Sequence, residues 1–434
     1  MTTQQDTFGQ EPRLFNTVYQ FRAYTTRQGY EELDRVLAMQ CTLYNAALQE
    51  RRDGWKMGRN QITYYSQCRE LTGVRADDGE WNQQNRRLAT GTLKRVDLAF
   101  QAFFRRFKSG DTPGYPRFKP RQRFKTLTTH GTEPGMFRLD LPRDRAALTI
   151  KGLPRLDIKL KGRRLPEGQK PTTIMITRRG RRCTVSLGFM VPKEELPPNG
   201  RAVGLDMRMG IARVVTSDAE YWDRRERDTK PIKRRQRKLS RAVRGSNKRR
   251  KKATALAKCQ YREQVSNRNA VHRFTTAAVR QNEFIAVEEL DIRQMTGTAR
   301  GTIENPGTEV QRTADRNRQA LDQTWGMIRQ QLSYKAEWAG RQLVEVDPAY
   351  TSRACSRCGY VRSSPQIRTT FRCAECGMEG AAAHNAAVNI LRLGLGQGES
   401  GAKGLWPALD TPQNVATIGE LSPMRVEILP SDTG

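Results

Sequence analysis

Four cysteines constrain the folding of this chain more than any other feature. Cys355 and Cys358 form one C-x-x-C pair and Cys373 and Cys376 a second, with fourteen residues between the pairs. Two such pairs at this separation are the standard ligand set for a tetrahedral zinc held by thiolates, so the segment must close on itself. Gly359 and Gly377 each follow the second cysteine of a pair, where a knuckle turn benefits from a residue that tolerates positive φ. All four positions are filled and no coordination site is left open, so the zinc should hold a loop rather than do chemistry. A redox pair is the competing reading. The remaining cysteines, Cys41, Cys68, Cys183 and Cys259, are scattered, which suits a reducing cytoplasm better than a disulfide framework.

Charge speaks to partners. Over 434 residues the formal net charge is +32, spread along the length rather than gathered in one tail. A surplus this large fits a long polyanion contacted over many phosphates, with affinity that falls steeply as salt rises. The segment 1–12 is polar and lacks the apolar core of a signal peptide, and no run of about eighteen apolar residues predicts a membrane span.

The chain has room for several domains. Residues 14–25 alternate as a strand does, and from Gly29 to Phe107 the period is helical, with Leu33, Val36, Leu37, Met39, Leu43, Tyr44 and Ala47 on one face. Phe100, Phe103, Phe104 and Phe107 recur at helical spacing and read as core. Pro113-Gly114-Tyr115-Pro116 breaks the helix. From about Phe124 to Val191 short strand-like runs predict a small antiparallel barrel or sheet, with the helical segment inserted after its first strand. Pro197-Pro198-Asn199-Gly200 reads as a linker. Beyond it, Ala202–Asp206 is an apolar strand ending in a carboxylate, and 211–216 returns beside it. Lys230 to Lys258 is a basic helical segment interrupted near Gly245-Ser246. Phe284–Glu288 is a second apolar strand ending in an acid, and Leu343–Val346 leads towards the cysteines. The stretch after Gly394 is rich in Gly and Pro and is expected to be loosely ordered.

Asp206 and Glu288 are the chemically pointed positions. Two-metal cleavage of a phosphodiester holds Mg²⁺ ions about 4 Å apart between acids that converge from separate strand ends. Each acid taken alone is better read as a turn residue at the end of a strand. The basic run, including Arg234, Arg235, Arg237, Lys238 and Arg241, could line a nucleic-acid channel. A solvated charged face is the bland account, and the density of one sign counts against it. Tyr115 and Phe118, with Arg117 and Lys119 beside them, are candidates to stack on bases and hold phosphates. His384 reads as a packing or capping residue rather than a ligand.

Taken together, Gly204-Leu205-Asp206, Val287-Glu288-Glu289-Leu290, the Tyr350-Thr351-Ser352 lead into the cysteines and His384-Asn385-Ala386-Ala387-Val388-Asn389-Ile390 resemble the TnpB and compact type V CRISPR effector family of RuvC-type RNA-guided nucleases. The likeness extends forward to Ala99–Lys119 and covers all but the tail. It implies a multidomain α/β protein with an amino-terminal wedge β-barrel carrying a helical recognition insert, and an RNase H-like RuvC domain with an inserted zinc ribbon. Domain bounds on that pattern are 1–28 and 123–196 for the wedge, 29–122 for the insert, 201–348 and 381–394 for the nuclease, 349–380 for the zinc-bearing target-loading element and 395–434 for a flexible tail. The implied partners are a guide RNA and target double-stranded DNA beside a short flanking motif, with a monomer or a homodimer on one RNA, in a bacterial cytoplasm. Implied cofactors are structural Zn²⁺ and catalytic Mg²⁺.

On this resemblance Asp206 and Glu288 are the first two catalytic acids, and the third should stand immediately before His384. Ala383 stands there instead. With one acid missing, Mg²⁺ binding should weaken and cleavage should fall by orders of magnitude. Glu379, close to Cys376, belongs more naturally to the zinc element than to a substitute ligand set. Either Ala383 is a deliberate inactivating substitution, which the intact flanking residues favour, or the chain is a natural nuclease-dead relative that binds DNA under RNA guidance and represses transcription. A conventional DNA transposase working without RNA is a third reading, opposed by the position of the cysteines and by the amino-terminal pattern.

Overall fold

The computed structural model describes residues 14–110, 113–140, 144–166, 168–180, 182–193, 195–208, 212–223, 230–302, 304–361 and 369–399. The chain divides into two compact units, residues 1–194 with 243–254, and residues 195–242 with 255–434. The result is a mixed α/β architecture.

In the first unit β1 (Leu14–Tyr24) is followed by α1 (Arg27–Gly58), α2 (Tyr64–Asp77), α3 (Gly79–Gln83) and α4 (Arg86–Lys108). The strands β2 (Thr126–His130), β3 (Phe137–Asp140), β4 (Arg145–Leu148), β5 (Leu156–Lys159), β6 (Thr173–Arg179) and β7 (Arg182–Pro192) then complete one antiparallel sheet in the order β2-β6-β7-β1-β5-β4-β3. The inserted helices therefore leave and re-enter a sheet whose centre is its first strand. β1 pairs with β7 from Leu14↔Pro192 to Ala23↔Cys183. Helix α1 starts at Thr26, whose hydroxyl accepts from the Gly29 amide at 3.0 Å. It buries Leu33, Val36, Leu37, Tyr44, Ala47 and Leu48 on the apolar stripe that the periodicity marks, with Met39 and Leu43 at its half-buried margin. The aromatic run of α4 departs from the expectation of core. Phe100 is buried, but Phe104 is 52% and Phe107 67% exposed, because the last turns of the helix outrun the elements it packs against.

In the second unit a five-stranded sheet has the order β10-β9-β8-β11-β12. Its strands are β8 (Ala202–Met207), β9 (Ala212–Thr216), β10 (Tyr221–Asp223), β11 (Phe284–Glu288) and β12 (Gln342–Val346). β8, β9 and β10 form an antiparallel meander, whereas β11 runs parallel to both β8 and β12. Between strands lie α5 (Lys230–Ser240), α6 (Asn247–Gln281, of which the residues up to 254 are counted in the first unit), α7 (Ile292–Met295), α8 (Val310–Gln323) and α9 (Trp325–Ala339). The hairpin β13 (Thr370–Arg372) and β14 (Glu379–Ala381) follows, and α10 (Ala382–Glu399) begins on the next residue. The interrupted basic segment appears as α5 and α6 with the break between them. Pro197–Gly200 is tied down rather than free: the Asn199 and Gly200 amides both donate to Glu283 Oε2. Helix α10 continues past Gly394, where loose order was expected to begin, as far as Glu399; residues 400–434 lie outside the described ones.

Strand periodicity separates the two faces of this sheet. Val203, Leu205, Met207, Ile285 and Val287 point into a core completed by α6, α8 and α9, with Val271, Trp325, Ile328 and Leu332 among its members. The alternate residues point at α10, where Ala286, Val346 and Ile390 cluster. Gly204 shows how close that helix comes. A Cβ there would sit 2.1 Å from the Ala387 carbonyl oxygen and 2.7 Å from the Leu391 amide, so only glycine fits beneath the helix. Further along, a Cβ on Gly394 would meet Ala286 Cβ at 2.7 Å. Because Gly204 and Ala286 are paired, the helix travels from β8 across to β11 as it leaves its first turns. It also passes Phe284, nearer the start of β11, at Gly394. Its amino-terminal turn thus overhangs the carboxyl ends of β8 and β11.

Candidate metal centres

Those strand ends carry the two acids. Leu205 is paired with Val287 in a parallel ladder, so Asp206 and Glu288, one residue further on each strand, emerge side by side on the α10 face, on strands about 4.8 Å apart. Asp206 is 6% and Glu288 8% exposed. Burial, and then the neighbouring Glu288 charge, push Asp206 up to about 7, against the opposing pull of the Arg208 guanidinium. Burial raises Glu288 as well, offset by its hydrogen bond from Thr351 and by Arg208. Thr351 Oγ1 donates to Glu288 Oε1 at 2.6 Å. Asp206 Oδ2 is buried without a hydrogen-bond partner and faces Arg208 Nε at 3.5 Å. Ala383 is buried in the first turn of α10, over these strand ends, and supplies a methyl group and no oxygen.

The cysteines form a second and complete cluster. Their four sulfurs lie within 4.8 Å of one another, with Cys355 and Cys376 3.6 Å apart and Cys358 and Cys373 3.6 Å apart. Four thiolates at about 2.3 Å from a tetrahedral zinc would be separated by about 3.8 Å, so the donor set fits that metal. Both pairs sit in knuckles. The Arg357 amide points at Cys355 Sγ and the Cys376 amide at Cys373 Sγ, while Gly359 and Gly377 take φ of 77° and 69° as expected. The β13–β14 hairpin carries the second knuckle in its turn, and Phe371 packs beneath with Ala382.

The two centres are linked by side chains that the sequence placed in the resembling motifs without giving them a role. Asn385 and Asn389, four residues apart on α10, face the loop that enters the cysteines. Asn385 Nδ2 donates to the Ala354 carbonyl at 2.7 Å, and its Oδ1 accepts from the Ser356 amide at 2.8 Å. Asn389 Nδ2 donates to the Thr351 and Ala354 carbonyls at 2.9 and 2.8 Å. Thr351 then reaches Glu288. The spacing of the asparagines on a helix was the available signal. Nothing in the sequence distinguished Arg208 from its many basic neighbours. His384 Nε2 donates to the Ser217 carbonyl at 2.9 Å, a packing role rather than a ligand's.

For divalent ions at the acids the fit is incomplete. Two carboxylates converge, the buried Ala383 offers no oxygen, and a guanidinium already lies against one carboxylate. The expected polyanion contacts fall elsewhere. Arg234, Arg235, Arg237, Lys238 and Arg241 are all exposed, the first four on α5 and the last just beyond it, and α5 buries no residue. In the other unit Tyr115 is packed edge-on against Phe100 and Phe103, and Arg52 covers both Tyr115 and Phe118. Arg117 is exposed. Lys119 is half-buried, with its backbone held by Asn45 and its ammonium 4.1 Å from the Tyr44 ring centre. Among the described residues no helix is long and apolar enough to cross a membrane.

Residues 186–299 match the family described as "Probable transposase" (OrfB_IS605), and residues 325–390 match "Cas12f1-like, TNB domain". The chain is 27% identical over 423 residues to a Streptomyces pristinaespiralis protein named "Putative RNA-guided DNA endonuclease", covering 94% of this chain and 96% of that one. It is 35% identical over 207 residues to an Escherichia coli K12 protein of the same description, InsQ, covering 45% of this chain and half, 50%, of the relative's length. The fold is similar to that of Cas12f1 in a solved complex with sgRNA and target DNA, with a TM-score of 0.54 at 14% identity, over 87% of this chain and 99% of that one.

Proposed function

We propose that the chain belongs with the TnpB and compact type V effector family, and that it is an RNA-guided DNA-binding protein on a nuclease scaffold, with the cutting centre disabled. The observation that carries this reading is the pairing of Asp206 and Glu288 under the first turn of α10, with Ala383 where a third acid would close the site. The strand order β10-β9-β8-β11-β12 supports an RNase H-like nuclease domain over 201–348 and 381–394. The sheet of the first unit is the wedge, over 1–28 and 123–196, and the helices over 29–122 are the recognition insert. Residues 349–380 are the zinc ribbon, held by Zn²⁺ on Cys355, Cys358, Cys373 and Cys376. A guide RNA and double-stranded target DNA are the partners, drawn by the +32 net charge and by the exposed arginines at and just beyond α5.

Mg²⁺ would supply an activated water and a counter-charge for the leaving oxygen in an intact site. Here Asp206 and Glu288 can still orient oxygen donors, but they bind such an ion weakly. Arg208 favours a natural nuclease-dead binding protein over a deliberately inactivated copy, because an introduced alanine leaves its surroundings built for metal. The test expresses the chain with its native flanking DNA and sequences the RNA that co-purifies. One structured RNA with a variable end is expected; no enriched RNA would remove guidance and return the conventional recombinase. Ala383→Asp, assayed with that RNA and Mg²⁺, separates the two inactive readings: recovery of cutting by several orders of magnitude supports deliberate inactivation, and continued silence supports the natural binding protein.

A further inference from the structure

We propose that Arg208 is a built-in counter-ion for the acid pair, occupying the electrostatic place of a divalent cation and leaving the centre metal-free. This rests on the reading of Asp206 and Glu288 as the remnant of a nuclease site. Residues i and i+2 of an extended chain share a face, so Arg208 emerges on the same side as Asp206. Its backbone is held in that register beyond the end of β8, because the Arg208 amide donates to the Arg213 carbonyl at 3.2 Å and continues the ladder that pairs Met207 with Val214. Its side chain, 37% exposed, therefore leans over the strand end from the solvent side, with Nε 3.5 Å from Asp206 Oδ2. That oxygen is the one left without a hydrogen bond.

Two buried carboxylates side by side need compensation, by protons, by metal or by a fixed cation. A guanidinium is charged at every physiological pH and cannot step aside by deprotonating. A metal ion binding Asp206 Oδ2 would meet that positive charge at ion-pair range, and the missing carboxylate at Ala383 removes the charge that could hold both. The two departures act in the same direction. Removing the arginine should therefore strengthen metal binding, the opposite of what loss of a merely structural contact would do.

The experiment measures Mn²⁺ binding by electron paramagnetic resonance on the zinc-loaded full chain freed of RNA. Binding is read as the difference from an Asp206→Asn, Glu288→Gln double variant prepared in the same way. The wild type should show little specific binding, and Arg208→Gln should bind at least tenfold more tightly. Arg208→Lys keeps the charge and should behave like the wild type. Arg208→Gln binding no better than the wild type, or Arg208→Lys tightening as much as Arg208→Gln, overturns the proposal. Thermal unfolding gives a second readout: Mn²⁺ should raise the melting temperature of Arg208→Gln and not of the wild type, and an equal rise in both counts against it. RNA-guided DNA binding is scored separately by gel shift, so failure of guidance would remove the functional reading while leaving the Mn²⁺ result to stand on its own.

Discussion

The two candidate metal centres of the second unit share one helix and one loop, yet they are built on opposite terms. The cysteine cluster is local: all its ligands fall between residues 355 and 376, and its sulfurs already lie at the separations zinc requires. The acid pair is assembled across the fold from Asp206 on one strand and Glu288 on another, and on the proposed reading position 383 on a helix would complete it. A local site can keep its ligand set whatever happens elsewhere in the sheet. A distributed site depends on every contributor, and here one contributes a methyl group and a neighbour contributes the wrong charge. Loaded with metal, the cysteine cluster would add stability, whereas burial of the acid pair costs stability.

That contrast can be attacked at three strengths. The largest effect is expected from Cys376→Ser, which should abolish stoichiometric zinc and with it most of a binding free energy that is about 10 kcal/mol or more for structural sites. Metal analysis and chelator-dependent unfolding would check it, and full zinc occupancy in the variant would break the comparison. Next is Asp206→Asn. Asp206 is raised from the ordinary carboxylate range to about 7, so its ionised form destabilises the native state. The penalty is absent below about pH 4, grows as pH rises and is complete above 7, so the variant should gain about 4 kcal/mol at pH 8 and nothing at pH 4. Denaturant titrations at the two pH values test this; a loss of stability at pH 8 would mean the carboxylate is better compensated than its surroundings indicate. Smallest is Thr351→Val, which removes the hydrogen bond to Glu288 at a cost of about 1.5 kcal/mol and should raise Glu288 further, while zinc stoichiometry stays unchanged. A simultaneous fall in zinc would show that the two centres are not separable.

Legibility in the sequence followed the same division. The cysteine knuckles were readable because ligand identity and spacing are themselves the chemistry. Asp206 and Glu288 were readable because buried parallel strands appear as unbroken apolar runs, and an acid at the end of such a run stands out. The phenylalanines of α4 misled, since helical spacing identifies a face but not the turn at which the covering core stops: Phe100 is under it and Phe107 is beyond it. Lys119, a candidate phosphate contact, is held from behind by Asn45 and Tyr44, which spacing in the sequence does not show. Arg208 was hidden by composition, because one arginine among 77 basic residues carries no signal until its register against Asp206 is known.

Helix α10 starts on the residue after β14, with nothing between the cysteine hairpin and its first turn. The hairpin therefore sets the rotational phase of the helix. Adding or deleting a single residue at that junction would turn every later side chain by about 100° and shift it by about 1.5 Å along the axis. Asn385 and Asn389 would lose the loop, and Ala387 would no longer lie flat on Gly204. Length at the junction is consequently closed to variation, and position 383 can alter the acid centre only through the identity of its side chain, never through its place.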